Sequence, residues 1–554
     1  MKRKESRFTS RIMTFLIKAA ALFLLLFVAL PRLAAEAARR RGEKRGYIMH
    51  QFKFTARDGT RLSGVLYIPL SPPPDTRGYP AIVMVHSWML SRWQNHLYAP
   101  YFASDGYVVL SYDCRGWGSS RGQVQCADPE FELCDLEDAL DWLTTQDLAP
   151  VDRERIGMTG ISYGGGHSFL IAGRDPRIRT IVPMHGWTDL RESLVPGGSL
   201  KYIWGLLLLF SASWATKCDP RNRLYRWTLS LLLGLRDYET ALRDLDRRSA
   251  LPGAGEIDIP VFIVGSWHDD LFEPNQMLHY YERLRSPRRL YIGFCPHGMD
   301  AGLGPRLWGR EIWEEAKRWF DHWLRERRDP EIAEGPRVRV HQYWRKGTVT
   351  LEDWPPPGGR DLDLYLHEGG SDGASGTLKE QPAEGGVSFR LLNHWLGPAT
   401  SGPSVLRPQS LGIPVPGPRR DRPGWNVSFR GEPTVEDMEI LGIPRLRLFL
   451  RPDGERCQVN AFLYEEGQRG LPRLITYGTR TVSGLKPGEL TELEVELIAC
   501  CWLLRRGRQL RLTLSASNAL FVLPLGERFG LEVLAGGDTP SRLQVPVMPR
   551  GNRR

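Results

Sequence analysis

Three places far apart in the chain carry residue types suited to covalent acyl chemistry: Ser162, the neighbours Asp269 and Asp270, and His297. A serine hydroxyl is a weak nucleophile near neutral pH. It needs a base to take its proton, and the base needs an acid to orient it. Ser162 lies in Gly160-Ile161-Ser162-Tyr163-Gly164, a G-x-S-x-G match. In a chain of 554 residues with 57 glycines the match alone says little, so its surroundings carry the weight. RIGMTG (155–160) reads as a strand before it, and GGGHSFLIAG (164–173) can open a helix after it. That is the setting of a serine on a sharp strand-to-helix turn, where glycines allow close approach.

The order Ser, acid, His suits this arrangement. GSWHDD (265–270) ends one apolar run and offers Asp269 and Asp270; GFCPHG (293–298) ends the next and offers His297. The Asp-after-Trp-x spacing favours Asp269. Of twelve histidines, His297 alone stands at a strand end downstream of the acid; His268 precedes it and His322 falls inside a helical pattern. The Tyr163 N–H, at the helix start, can face a developing oxyanion. The loop MVHSWML (84–90) follows an early strand, which nominates the Trp88 N–H as second donor, with His86 orienting the loop. Two rival motifs fail. His167 stands where a phosphate loop needs Lys, and Arg115-Gly116-Trp117-Gly118 lacks the third glycine of a dinucleotide fingerprint. No metal or cofactor is required.

These residues need a scaffold. YIMHQFKFTARDGTRLSGVLYIPL (47–70) alternates about Arg57-Asp58-Gly59 as a hairpin. Apolar runs at 81–88, 107–116, 155–160, 180–186, 260–270 and 289–298 alternate with helical patterns, the signature of a parallel sheet covered on both faces. Residues 309–327 form an amphipathic helix. Residues 187–250 break the alternation and read as a helical cap. Its apolar stretches, 203–214 and 227–235, are too short to span a bilayer; they pack the cap core or wall a substrate pocket or membrane-facing lid. Beyond Arg327 the texture turns to Pro/Gly-rich loops and short alternating strands, an all-β sandwich of jelly-roll type. The expected domains are 1–46, 47–335 and 336–554.

Charge excludes one class of partner. Met1–Tyr47 holds twelve Lys/Arg and three acids, nearly the whole net charge of +10, so the body is close to neutral and presents no nucleic-acid surface. The apolar run 19–30 within that segment, with Ala35-Glu36-Ala37 after it, reads equally as a signal peptide or an uncleaved membrane anchor. Either places the protein outside the cytoplasm, exported or membrane-associated through its N-terminus. Eight cysteines show no metal spacing; Cys126 and Cys134 are close enough to pair, with separate buried thiols the alternative.

GISYGG, SWHDD and FCPHG resemble the cocaine esterase / X-Pro dipeptidyl-peptidase family of serine hydrolases, as does YDCRGWGSSRG (112–122). DWPPP, LDLYLHEGG, LITYG, LKPGE and GRQLRLTLSAS resemble its β domain. The resemblance covers about residues 52–523. It implies an α/β-hydrolase domain with a helical cap followed by a jelly roll, with Ser162 as nucleophile, Asp269 as orienting acid and His297 as base. One stretch departs from the family, which often supplies a Tyr hydroxyl to the oxyanion from R-x-P-Y. Here His86-Ser87-Trp88-Met89 stands instead. The expected activity is hydrolysis of a small-molecule carboxylic ester through an acyl-enzyme. The alternatives are an X-Pro dipeptidyl-peptidase or other amide hydrolase, with Asp237, Glu239 or Asp244 of the cap binding a substrate amine, and a catalytically dead glycan-binding envelope protein.

Overall fold

The computed structural model describes Leu33 and residues 42–549 except 217, 235–236, 303, 306–308, 343–346, 370–374, 394–420, 468–470, 519–520 and 522–528. The signal or anchor expected in 1–46 therefore lies almost wholly outside the described residues. Among the described residues no helix is long and apolar enough to cross a membrane.

The apolar runs become a ten-stranded sheet: β1 (Tyr47–Thr55), β2 (Arg61–Pro69), β3 (Tyr79–Val85), β4 (Val108–Asp113), β5 (Val151–Ile161), β6 (Ile178–Met184), β7 (Val261–Ser266), β8 (Arg288–Gly293), β9 (Val338–His341) and β10 (Thr348–Leu351). Their order is β1-β2-β4-β3-β5-β6-β7-β8-β9-β10. The β1–β2 hairpin is antiparallel and also pairs antiparallel with β4. From β4 through β3, β5, β6, β7 and β8 every pairing is parallel. The central strands are buried on both faces, which is why they read as unbroken apolar runs. Helices α1 (Glu132–Thr145), α2 (Tyr163–Ala172), α3 (Tyr202–Ala215), α4 (Arg223–Leu233), α5 (Tyr238–Asp246), α6 (Pro274–Arg283) and α7 (Arg310–Leu324) join them. Of these, α3, α4 and α5 lie between β6 and β7, where the cap was expected.

The first sheet continues past the boundary expected at residue 336. β9 pairs parallel with β8, and β10 antiparallel with β9, so the first sheet extends to Leu351. Short alternating strands look alike wherever they pair, so pattern alone does not name the sheet they join. A second sheet of thirteen strands begins at Arg360 and runs to Met548. It encloses its own apolar core, including Leu448, Val459, Leu512 and Val545. The all-β expectation for this half holds.

The two halves meet beside the loops that follow β7. The Asn275 side chain donates to Leu497 O at 2.9 Å and accepts from Ala499 N at 2.7 Å. The Ser199 hydroxyl bonds Thr481 and Thr479 at 2.7 and 2.9 Å. All eight cysteines are free thiols, Cys126 and Cys134 included.

Candidate active site

Ser162 occupies the turn between β5 and α2 with φ 59° and ψ −112°, a strained conformation for a residue with a Cβ. The turn is held from both sides: Ser162 N donates to Met184 O at 2.8 Å, and Ser162 O accepts from Gly166 N at 3.0 Å. The flanking glycines are required by close approach. A Cβ on Gly164 would lie 2.1 Å from Val85 O, and one on Gly165 would lie 2.7 Å from Met184 O. Without side chains there, α2 starts directly over the carboxyl ends of β3 and β6. Tyr163 is its first residue, so its N–H is among those that no helical carbonyl satisfies.

The loops after β7 and β8 bring the other two groups to this edge. Ser162 Oγ lies 2.8 Å from His297 Nε2, and His297 Nδ1 lies 2.7 Å from Asp269 Oδ2. With the Nδ1 proton donated to the carboxylate, Nε2 is free to accept from the serine. Asp269 is buried, and its other oxygen accepts from Leu271 N at 3.1 Å and Phe272 N at 2.9 Å. Burial alone would raise its pKa. The charges of His297 and His185, with the hydrogen bond from His297, outweigh that and hold the carboxyl well below the usual carboxylate range. Asp270 points elsewhere and accepts from the Trp204 indole of the cap at 3.3 Å. The choice that the sequence left between the two acids is thus made by geometry.

The loop after β3 behaves as a positioned element. His86 is buried, accepts from Cys114 N through Nε2 at 3.0 Å, and has Nδ1 2.8 Å from Ser87 O. Burial pushes its pKa down. The Trp88 indole N–H donates to Ser211 Oγ of α3 at 2.8 Å, and its ring meets Tyr163 edge-on at 5.2 Å. Arg92, further along this loop, forms a buried ion pair with Asp113, which also accepts from Ser119 N at 2.7 Å. The Asp113–Gly122 stretch is therefore an anchor for the Trp88 loop.

Ser162, Tyr163 and Trp88 open onto one cavity. Trp187 and Phe272 wall it from the sheet side, and Leu208, Trp227 and Leu231 from the cap. The apolar stretches of the cap thus both pack among themselves and line this space. Lys201, also on the wall, is buried; its ammonium pairs with Glu273 at 2.9 Å and donates to Leu271 O at 3.2 Å. Pattern reading overlooked His185 and Lys201. The first had a visible signal, since it closes the apolar run 180–186 at the same edge as Ser162. The second had none.

A strained serine at the carboxyl edge of a mostly parallel sheet, with a histidine and a carboxylate in reach, defines a serine hydrolase of the α/β-hydrolase class. The chain belongs to the X-Pro dipeptidyl-peptidase (S15) family: the description of its catalytic domain matches residues 58–299, and that of its C-terminal non-catalytic domain matches residues 331–535. Among solved structures, a CocE/NonD family hydrolase from Staphylococcus aureus superposes with a TM-score of 0.69 over 91% of this chain and 94% of its own, at 16% identity. An α-amino acid ester hydrolase gives 0.67 over 91% and 97%, at 15% identity. Thiohydrolase aneE of Aspergillus aculeatus is 30% identical over 182 residues, 31% of this chain and 54% of that protein. The match thus spans about half of that curated relative's length.

Proposed function

We propose that this protein hydrolyses uncharged carboxylic esters through an acyl-enzyme on Ser162. The observation that carries the reading is the continuous Ser162–His297–Asp269 contact at the wall of an apolar cavity. His297 Nε2 takes the Ser162 proton as Oγ attacks the ester carbonyl. The carbonyl oxygen gains negative charge and turns toward the N–H groups of Tyr163 and Trp88. Asp269 steadies the imidazolium. As the C–O bond breaks, His297 returns the proton to the leaving alcohol. A water molecule then attacks the acyl-enzyme with His297 as base, and the acid leaves.

A peptidase acting on X-Pro peptides needs a negative pocket for the substrate amine. Of the cap acids considered, Asp237 pairs with Arg226 at 3.0 Å, and Asp244 lies between Arg223 and Arg247. The charge on the cavity wall is the Lys201 ammonium, with Glu273 as its partner. This supports an uncharged acyl group over an amino-terminal dipeptide. We also propose that residues 1–46 export or anchor the enzyme, supported by their basic–apolar–basic pattern; recovery of the full chain in the cytosolic fraction would refute that.

The test is Ser162→Ala with p-nitrophenyl butyrate. Turnover is expected to fall by at least about 10³ with an unchanged circular dichroism spectrum. Retained turnover defeats the assignment. A parallel assay with Gly-Pro p-nitroanilide separates ester from peptide cleavage.

A further inference from the structure

His185 closes β6 at the same sheet edge as Ser162, yet the reaction above does not use it. It is wholly buried, adopts φ 47°, and is tied in place by its N–H donating to Val264 O at 2.7 Å. A side chain at positive φ is uncommon and is kept where the surroundings over-determine it. Here the surroundings are two carboxylates. His185 Nε2 lies 2.8 Å from Asp300 Oδ1, and Nδ1 lies 3.7 Å from Asp269 Oδ2. Neither ring nitrogen is aligned for a hydrogen bond, so the link is one of charge. The His185 ring also meets the His297 ring edge-on, with centroids 6.4 Å apart. The charged and titratable groups facing His185 are thus Asp269 after β7, Asp300 in the short helix Met299–Gly302, and His297 after β8.

Two buried carboxylates that face one imidazole, one at each ring nitrogen, are stabilised by a positive charge on the ring between them. Burial alone would lower the His185 pKa; the charges of Asp300 and Asp269 override it and raise it to about 10. Asp269 Oδ2 consequently faces two imidazoles, one on each side.

We propose that His185 is a positioning residue for the Ser162 reaction: a buried imidazolium, shared by Asp300 and Asp269, that keeps Asp269 ionised and partly offsets its charge at His297. The proposal rests on the reading of Ser162, His297 and Asp269 as the reacting relay. Its consequence is electrostatic. A positive charge on His185 opposes protonation of His297, so the enzyme stays active to lower pH than an isolated Asp–His pair would allow.

The experiment uses the full-length chain as wild type, His185→Asn, His185→Gln and Asp300→Asn. It records kcat/KM for p-nitrophenyl butyrate against pH, and ¹⁵N spectra of histidine-labelled protein. Either His185 variant is expected to move the acid limb up by about 1 pH unit. Asp300→Asn, which removes a negative charge from the same cluster, moves it down or leaves it in place. A structural plug would lower kcat and melting temperature without moving the limb, and that result overturns the proposal. The second His185 variant covers misfolding of the first, and fluorophosphonate labelling of Ser162 confirms that each variant is folded. The ¹⁵N signals absent from the variant spectra report His185 itself. Both its ring nitrogens are expected to be protonated in wild type at pH 8, and a neutral ring there overturns the proposal whether or not the ester is turned over. A charged His185 in a protein that ignores the ester supports the buried imidazolium and counts against the ester reading alone.

Discussion

The indole N–H of Trp88 donates to the hydroxyl of Ser211, joining the loop that follows β3 to helix α3 of the cap. The cap is therefore coupled to the loop proposed to hold the oxyanion. Ser211→Ala leaves the indole donor without this acceptor, at a cost of about 1 kcal/mol. Because the bond positions the cavity wall, the loss is expected in KM, raised about fivefold, with kcat little changed. Steady-state kinetics on a butyrate ester distinguish the two. A fall in kcat alone would place the effect on the chemistry instead.

Asp269 and Asp270 are neighbours with different partners, His297 and Trp204. Asp269→Asn should lower kcat by roughly 10³–10⁴, since an amide no longer fixes the productive imidazole tautomer. Asp270→Asn keeps an amide oxygen that can accept from the Trp204 indole, and its kcat should stay within about tenfold of wild type. Equal losses in both variants would refute the separation of roles.

The cavity walls predict acyl preference. Each methylene that leaves water for an apolar site gains about 0.8 kcal/mol, roughly fourfold in kcat/KM. Activity is expected to rise from acetyl to butyryl and hexanoyl esters, then fall when the chain outgrows the space between Trp187 and Trp227. Leu208→Asp should flatten the rise. A preference for acetyl in the wild type would contradict an apolar acyl site.

Arg248, which follows the cap helices, and Asp128, in the loop before α1, form an ion pair with both side chains fully buried. Arg248 also lies over the Trp227 ring at 5.2 Å. Asp128→Asn leaves a buried cation without its counter-charge and should cost about 3–5 kcal/mol, read by urea denaturation. Removal of both partners, as Asp128→Leu with Arg248→Met, should recover much of that loss.

Stability should also depend on pH through His185. Folding raises its pKa from an ordinary value near 6.5 to about 10, because Asp300 and Asp269 outweigh burial. A group that binds its proton more tightly when folded stabilises fully below its unfolded pKa and loses that contribution as pH rises toward the folded value. Urea midpoints should therefore decline between about pH 6.5 and pH 10, and His185→Asn should reduce that slope. Asp269, held low, acts in the opposite sense: its contribution is present above the ordinary carboxylate pKa and is lost as pH falls through its depressed one.

By itself the sequence determined the parallel sheet, the strained serine turn, the order Ser162, Asp269 or Asp270, His297, and the all-β second half. These are local properties. Apolar runs state burial on both faces, and Gly160, Gly164 and Gly165 state that another backbone must pass within contact distance. Only the tertiary structure chose between the two acids, because the choice depends on which carboxylate receives the Leu271 and Phe272 N–H groups and turns toward His297. It alone paired β9 and β10 with the first sheet, since a strand's partner is not encoded in its own alternation. It alone revealed His185 between Asp300 and Asp269, and Lys201 against Glu273. A buried charge takes its meaning from its neighbours in space, and those neighbours lie 70 residues or more away along the chain.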